Sequence, residues 1–171
     1  MITKEHIVKK LQDRLHRKCT AIELTHWAKA IMFDYFEGKR IYDPAEKDLL
    51  ERAVLRIANS STNYRTFLFD GEIIRLLAHL GHTIKTSPLS SEVYSINIIL
   101  GQQNSPRSKE AIKIISEQLS KEKGLSVRQQ GSGIVLIANE MSEVEIHNLV
   151  NLLQPHSYIM SLRDHNLNCQ Q

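Results

Sequence analysis

The sequence predicts an α+β protein in two parts, and three observations carry that prediction. Before Pro88, apolar residues recur at helical spacing; after it, short β-rich runs alternate with two helical segments. Between them lies Thr86-Ser87-Pro88-Leu89-Ser90-Ser91, a Ser/Pro-rich stretch that cannot carry a helix across it. The expected division is a helical domain over 1–86, a linker over 87–91 and an α+β domain over 92–171.

In the first part, helix starts are marked by side chains able to accept the unpaired N–H groups of a first turn. Thr3 precedes Lys4–His16, whose Ile7, Val8, Leu11 and Leu15 share one face. Thr20 with Glu23 forms a capping box that opens a helix through Phe36. Asp43-Pro44-Ala45-Glu46 is a third start, with Asp as cap and Pro in the first turn, where it needs no donor. Leu49, Leu50, Val54, Leu55 and Ile57 follow as an apolar face. Asp70 is expected to cap a fourth helix from Gly71 to Leu80, with Gly81 as its stop.

In the second part, Val93–Leu100 (VYSINIIL) reads as a strand, and Ser105-Pro106 starts a helix through Lys123 that Gly124 stops. Leu125–Gln129 is a short strand, Gly131-Ser132-Gly133 a turn, and Ile134–Ala138 a central strand. Ser142 with Glu145 is another capping box, opening a helix to Leu153 that Pro155 ends, and Tyr158–Leu162 is the last strand. The order βαββαβ favours an antiparallel four-stranded sheet with both helices on one face, the ferredoxin-like plait. Expected core positions are Trp27, Phe33, Leu50, Leu55 and Leu77 in the helical unit. In the plait they are Ile98, Ile115, Leu119, Val135, Ile137, Leu149 and Ile159.

Composition is that of a globular protein, with 42% apolar and 24% charged residues. Two units of about 80 residues bury a modest fraction of their surface, so they are expected to lean on each other or on a partner. The formal charge is +3, from 22 Lys and Arg against 19 Asp and Glu. Residues 1–91 hold 15 of the former and 11 of the latter, residues 92–171 hold 7 and 8, so the excess lies in the first part. Its densest run is Arg14, His16, Arg17 and Lys18, either an anion-binding strip or the solvated end of a helix. The small excess favours the solvated end, because a nucleic-acid footprint needs a larger one-sided charge. Cys19 and Cys169 form no CxxC pair and the start shows no secretory pattern, so both are expected as reduced thiols in a cytoplasmic protein. No apolar stretch approaches the roughly 18 residues of a membrane span.

The plait hosts many functions, so each version is tested at its own residues. A metal carrier needs soft ligands in the first loop, and Gly101-Gln102-Gln103-Asn104 offers none. An RNA reader needs exposed aromatics on the middle strands, where only Tyr94 is available. A small-ligand sensor would use backbone donors at Gly101 and Gly131-Ser132-Gly133, although a tight hairpin needs the same glycines. His79-x-x-His82 could begin a zinc site, but no third ligand is near in sequence and Gly81 should break the helix between them. His26 beside Trp27 reads as a packing pair rather than a base, Cys19 as an inert thiol despite Lys18, and His147 has no evident partner. No catalytic residue, metal or cofactor is expected.

At Thr20-Ala21-Ile22-Glu23-Leu24-Thr25-His26-Trp27-Ala28, preceded by the helix Glu5–His16, the chain resembles small bacterial immunity proteins of polymorphic toxin and contact-dependent growth inhibition systems. These often open with a helix, a Ser/Thr-x-x-Glu cap and a Trp-Ala pair. An acidic stretch, a leucine-rich helix and a late Asp-Gly-Glu-like helix start often follow, echoed here by Asp43–Ile57 and Asp70-Gly71-Glu72. The resemblance covers about half the chain. It implies a cytoplasmic protein that binds a cognate toxin domain, often a nuclease, and blocks it. Inhibitors of nucleases are commonly acidic, and this chain departs from that in being slightly basic.

The expected function is therefore that of a non-catalytic protein-binding module, an immunity protein, with a nucleic-acid-binding or small-ligand-sensing regulator as the alternative. Candidate partner-binding residues are Asp43, Glu46, Asp48 and Glu51 as a steering patch with Tyr42 as anchor, and a second cluster at Glu140, Glu143 and Glu145. The alternative for both clusters is helix-start charge that meets the helix dipole, and for Tyr42 a ring packed under the loop.

Overall fold

A computed structural model describes residues 1–84, 93–101, 105–123, 125–131 and 133–164. Six helices and four strands lie among them, so the protein is α+β. The chain divides into two compact units. One holds the described residues 1–62 and 66–84; the other holds 63–65 and those from 93 to 164. The expected linker 87–91, the loop residues Gln102–Asn104, Gly124, Ser132 and Cys169 lie outside the described residues.

The first unit is built from α1 (Lys4–Leu15), α2 (Ala21–Phe36), α3 (Lys47–Ala58) and α4 (Asp70–His79). In α1, Ile7, Leu11 and Leu15 recur every fourth residue and are buried. The α2 cap is reciprocal: the Glu23 N–H donates to Thr20 Oγ1 at 3.2 Å, and the Thr20 N–H donates to Glu23 Oε2 at 2.7 Å. Leu24, Ala28 and Ile31 form the buried stripe of α2. Phe33, expected in this core, is 59% exposed, because nine positions beyond Leu24 is about half a turn around the helix. Leu55 is likewise a surface residue rather than a core one. It lies about 140° around α3 from Leu50, while Ala53, Val54 and Ile57 fill the interior. Trp27 is half-buried against the core and His26 is exposed, so the two are not a packed pair.

Two helix starts differ from expectation for local reasons. Asp43 does not cap α3: its Oδ1 accepts the Ala45 N–H at 3.0 Å and its carbonyl accepts the Glu46 N–H at 3.2 Å, a turn that delays the helix to Lys47. Its own N–H donates to the Ile2 carbonyl at 2.9 Å, extending an isolated parallel bridge between Ile2 and Tyr42. At α4 the cap position is Phe69, and the Asp70 carboxylate is turned to Arg17. Arg17 is only 8% exposed and Arg14 is fully buried, its Nη1–H directed at the Cys19 carbonyl at 3.4 Å. The Arg14–Lys18 run is therefore a solvated helix end only in part: His16 and Lys18 are exposed, whereas Arg14 and Arg17 are interior structural groups.

The second unit runs β1 (Val93–Leu100), α5 (Pro106–Lys123), β2 (Ser126–Gln130), β3 (Gly133–Ser142), α6 (Glu143–Leu153) and β4 (Ile159–Asp164). The strands form one antiparallel sheet in the order β2-β3-β1-β4. Register pairs Ile98 with Leu136 on one side and Leu162 on the other, and all three are fully buried. Tyr94, Ile96, Leu100 and Ala138 complete that face. It packs with Ile112 of α5 and Ile146, Leu149, Val150 and Leu153 of α6 in the interior of the unit. Tyr94 thus gives no exposed stacking platform. The opposite face carries Asn97, Ile99 and Ile137, which are half-buried. Ser142 both ends β3 and caps α6, accepting the Glu145 N–H, so strand passes into helix with no loop between.

Candidate functional site

The expected steering patch begins where α2 ends. Tyr42 is 3% exposed, with its ring 4.8 Å from that of Tyr35. Burial, reinforced by the negative charge of Glu51 and by Tyr35, pushes its hydroxyl up to about 12. A ring so placed offers no surface to a partner. Tyr42 is part of the helical core, in keeping with the packing alternative.

The carboxylates around it have unequal freedom. Glu46 accepts a hydrogen bond from Lys4 Nζ at 2.7 Å, and that contact holds the Lys4 ammonium pKa up. Asp43 is engaged in its turn. Asp48 is exposed and Glu51 half-buried. Lys47 adds a cation to the same stretch, 5.6 Å from the Tyr35 ring centre; its pKa is raised by that phenol. The patch is thus of mixed charge rather than acidic. In the other unit, Glu145 serves the α6 cap, Glu143 faces His147 at 3.4 Å, and Glu140 is exposed with a left-handed φ of 55°.

What the sequence reading missed is apolar. Phe33 at 59%, Phe36 at 75% and Ile41 at 58% are exposed on the last turn of α2 and the segment after it. Gly38, at φ 70°, turns the chain there, and the Lys39 and Arg40 N–H groups donate to the Asp34 carbonyl at 2.8 and 3.1 Å. The charged neighbours are arranged locally. Arg40 pairs with Asp34 at 2.9 Å, Lys39 pairs with Glu37 at 3.3 Å, and the Lys39 ammonium lies 5.4 Å from the Phe33 ring centre. Three large apolar side chains thus stand exposed between Phe33 and Ile41, with the Asp34–Arg40 and Glu37–Lys39 ion pairs in the same segment. The signal was present in the sequence: Leu24, Ala28 and Ile31 define the inner face of α2, and Phe33 and Phe36 fall off it.

His147 also has a partner that sequence spacing could not reveal. The Tyr64 hydroxyl hydrogen-bonds His147 Nδ1 and the rings meet edge to face at 5.5 Å, within the second unit. Burial and the Glu143 charge raise the Tyr64 pKa. His82 contacts the Gln12 side-chain amide at 2.9 Å and His79 ends α4. Among the described residues no group of three His, Cys, Asp or Glu side chains converges as a metal site. Cys19 is buried, and burial pushes its thiol up rather than activating it. No described helix is long and apolar enough to cross a membrane. No family model, no curated protein and no solved structure matches the chain.

Proposed function

We propose that the chain is a non-catalytic protein-binding module and, on the resemblance of its first half, a cytoplasmic immunity protein that neutralises a cognate toxin domain. The observation that carries this is the exposure of Phe33, Phe36 and Ile41 in the same segment as the Asp34–Arg40 and Glu37–Lys39 pairs. Single exposed apolar residues need no explanation, but three large ones within nine positions, bordered by charge, have the composition of a partner-contact centre with a polar rim. Aromatic anchors dominate the energy of such contacts, and Asp48 and Glu51 lie on the adjoining segment as steering charges. No metal or cofactor is assigned. The second unit is read as a ferredoxin-like plait, supported by its βαββαβ order and its β2-β3-β1-β4 sheet.

The test first asks whether a toxin domain is encoded beside this gene, as the proposal requires, and then uses that domain, purified in an inactive form; a gene neighbourhood without one counts against the assignment. Phe33→Ala and Phe36→Ala are expected to weaken binding by about tenfold or more each while leaving the unfolding midpoint unchanged. Absence of binding, or binding indifferent to both substitutions, overturns the assignment. Tight sequence-independent binding to DNA or RNA at physiological salt would favour a nucleic-acid regulator instead.

A further inference from the structure

The second unit contains a cleft of about 740 Å³, walled by Arg65, by Ser108 on the first turn of α5, and by Gln154 and His156 of the turn between α6 and β4. That volume lies within the roughly 300–1,000 Å³ of small-molecule sites and exceeds what a bare inorganic ion fills. Its chemistry is one-sided. Among the described residues, Arg65 is the only one of permanent charge along its walls, and none of those lining it is acidic. A guanidinium presents a planar fork of donors that matches phosphate oxygens two at a time. Ser108 Oγ accepts a hydrogen bond from Ser105 Oγ–H at 3.0 Å, which leaves its own proton to be donated elsewhere. His156 and Gln154 add N–H donors to the lining. Tyr158, 69% exposed, offers a flat ring at the same cleft.

The Arg65 wall is held by two contacts. The Arg65 N–H donates to Asn63 Oδ1 at 2.9 Å, which closes the turn, and the Tyr64 hydroxyl bonds His147 on α6. These fix the backbone of the segment that carries Arg65, whose side chain is exposed. We propose that this cleft binds a small organic phosphate carrying a planar ring, with Arg65, Ser108 and His156 on the phosphate and Tyr158 against the ring. The cleft belongs to the second unit, and Phe33, Phe36 and Ile41 belong to the first.

The experiment titrates the full chain with adenosine monophosphate, adenosine and inorganic phosphate, following backbone amide resonances and heat of binding. Adenosine monophosphate is expected to move the Arg65, Ser108 and His156 amides. Inorganic phosphate should move the same amides with weaker affinity, and adenosine should bind at least tenfold more weakly than its phosphate. Arg65→Gln, an exposed site whose replacement leaves the fold intact, should lower the affinity about tenfold or more, and Tyr64→Phe should lower it by loosening the wall. The proposal fails if these amides stay still, if adenosine binds as tightly as its phosphate, or if Arg65→Gln binds like wild type. Neither result alters toxin binding by Phe33 and Phe36, so the two proposals stand or fall separately.

Discussion

Arg17 and Asp70, 53 positions apart, are joined by two parallel hydrogen bonds of 2.9 Å, one from each terminal guanidinium nitrogen to each carboxylate oxygen. Both side chains are largely withdrawn from water, at 10% and 17% exposure. Arg17 occupies this position with a left-handed φ of 57°, a conformation that costs a side-chain-bearing residue about 1 kcal/mol or more. The end of α1 is thereby clamped to the start of α4. Removing one partner leaves the other charge poorly solvated, so Asp70→Ala is expected to destabilise the helical unit by about 3 kcal/mol. Arg17→Gly should lose about 1 kcal/mol less than Arg17→Ala, because glycine takes positive φ freely. Chemical denaturation followed by Trp27, the sole tryptophan, reads both; an Asp70→Ala variant as stable as wild type would show the clamp to be ornamental.

Tyr42 makes stability fall at alkaline pH. Its hydroxyl titrates at about 12 in the fold against an ordinary 10.0, because burial favours the neutral phenol. Below pH 10 both folded and unfolded chains keep the proton and the full stability is present. Between pH 10 and 12 the unfolded chain loses it while the fold retains it, so stability declines across that window, by about 3 kcal/mol in all. Tyr42→Phe should flatten this part of the profile. Denaturation midpoints of the two proteins from pH 8 to 11.5 should diverge; parallel curves would mean that the ring reaches water.

Gly133 begins β3 beside the Leu100 carbonyl. A Cβ at this position would sit 2.8 Å from that oxygen, which belongs to backbone held in the sheet and cannot swing aside. Gly133→Ala should therefore cost about 1–3 kcal/mol in the second unit. Gly131→Ala meets nothing within 4 Å and suffers only from its φ of 60°, so its cost is the smaller. Thermal unfolding by far-ultraviolet circular dichroism ranks the pair, and the reverse ranking would contradict the strand register.

Elements governed by local chemistry were legible in the sequence. The Thr20–Glu23 and Ser142–Glu145 boxes open α2 and α6 where the cap pattern puts them, and β1 spans Val93–Leu100 as its composition indicates. What was not legible depended on distant residues. Asp43 and Asp70 both read as caps, yet one is held by the Ile2–Tyr42 bridge and the other by Arg17, neither of which is near in sequence. The Arg14–Lys18 run looked solvated because charge favours water, and His16 and Lys18 are exposed, but Arg17 is drawn in by the distant Asp70 and Arg14 is fully buried. At the candidate surface, acidic residues drew attention through their charge, whereas the exposed ring of Phe33 looked like core because it is apolar, and Phe36 was read only as the end of its helix. Helical phase, not residue type, decides that question. His147 found its partner only through the fold of the Asn63–Arg65 segment.

Strand β2 has a consequence for how the second unit opens. All five of its residues are exposed, and among the described strands it lies at the sheet edge, paired with β3 alone. Its attachment therefore depends on ladder hydrogen bonds with little apolar burial behind them, whereas β1 is wedged between two strands and supplies four buried side chains. Opening is thus graded across the sheet. Ser126–Gln130 can detach and re-form many times within the lifetime of the native state, while parting β1 from its neighbours is tantamount to unfolding the unit as a whole.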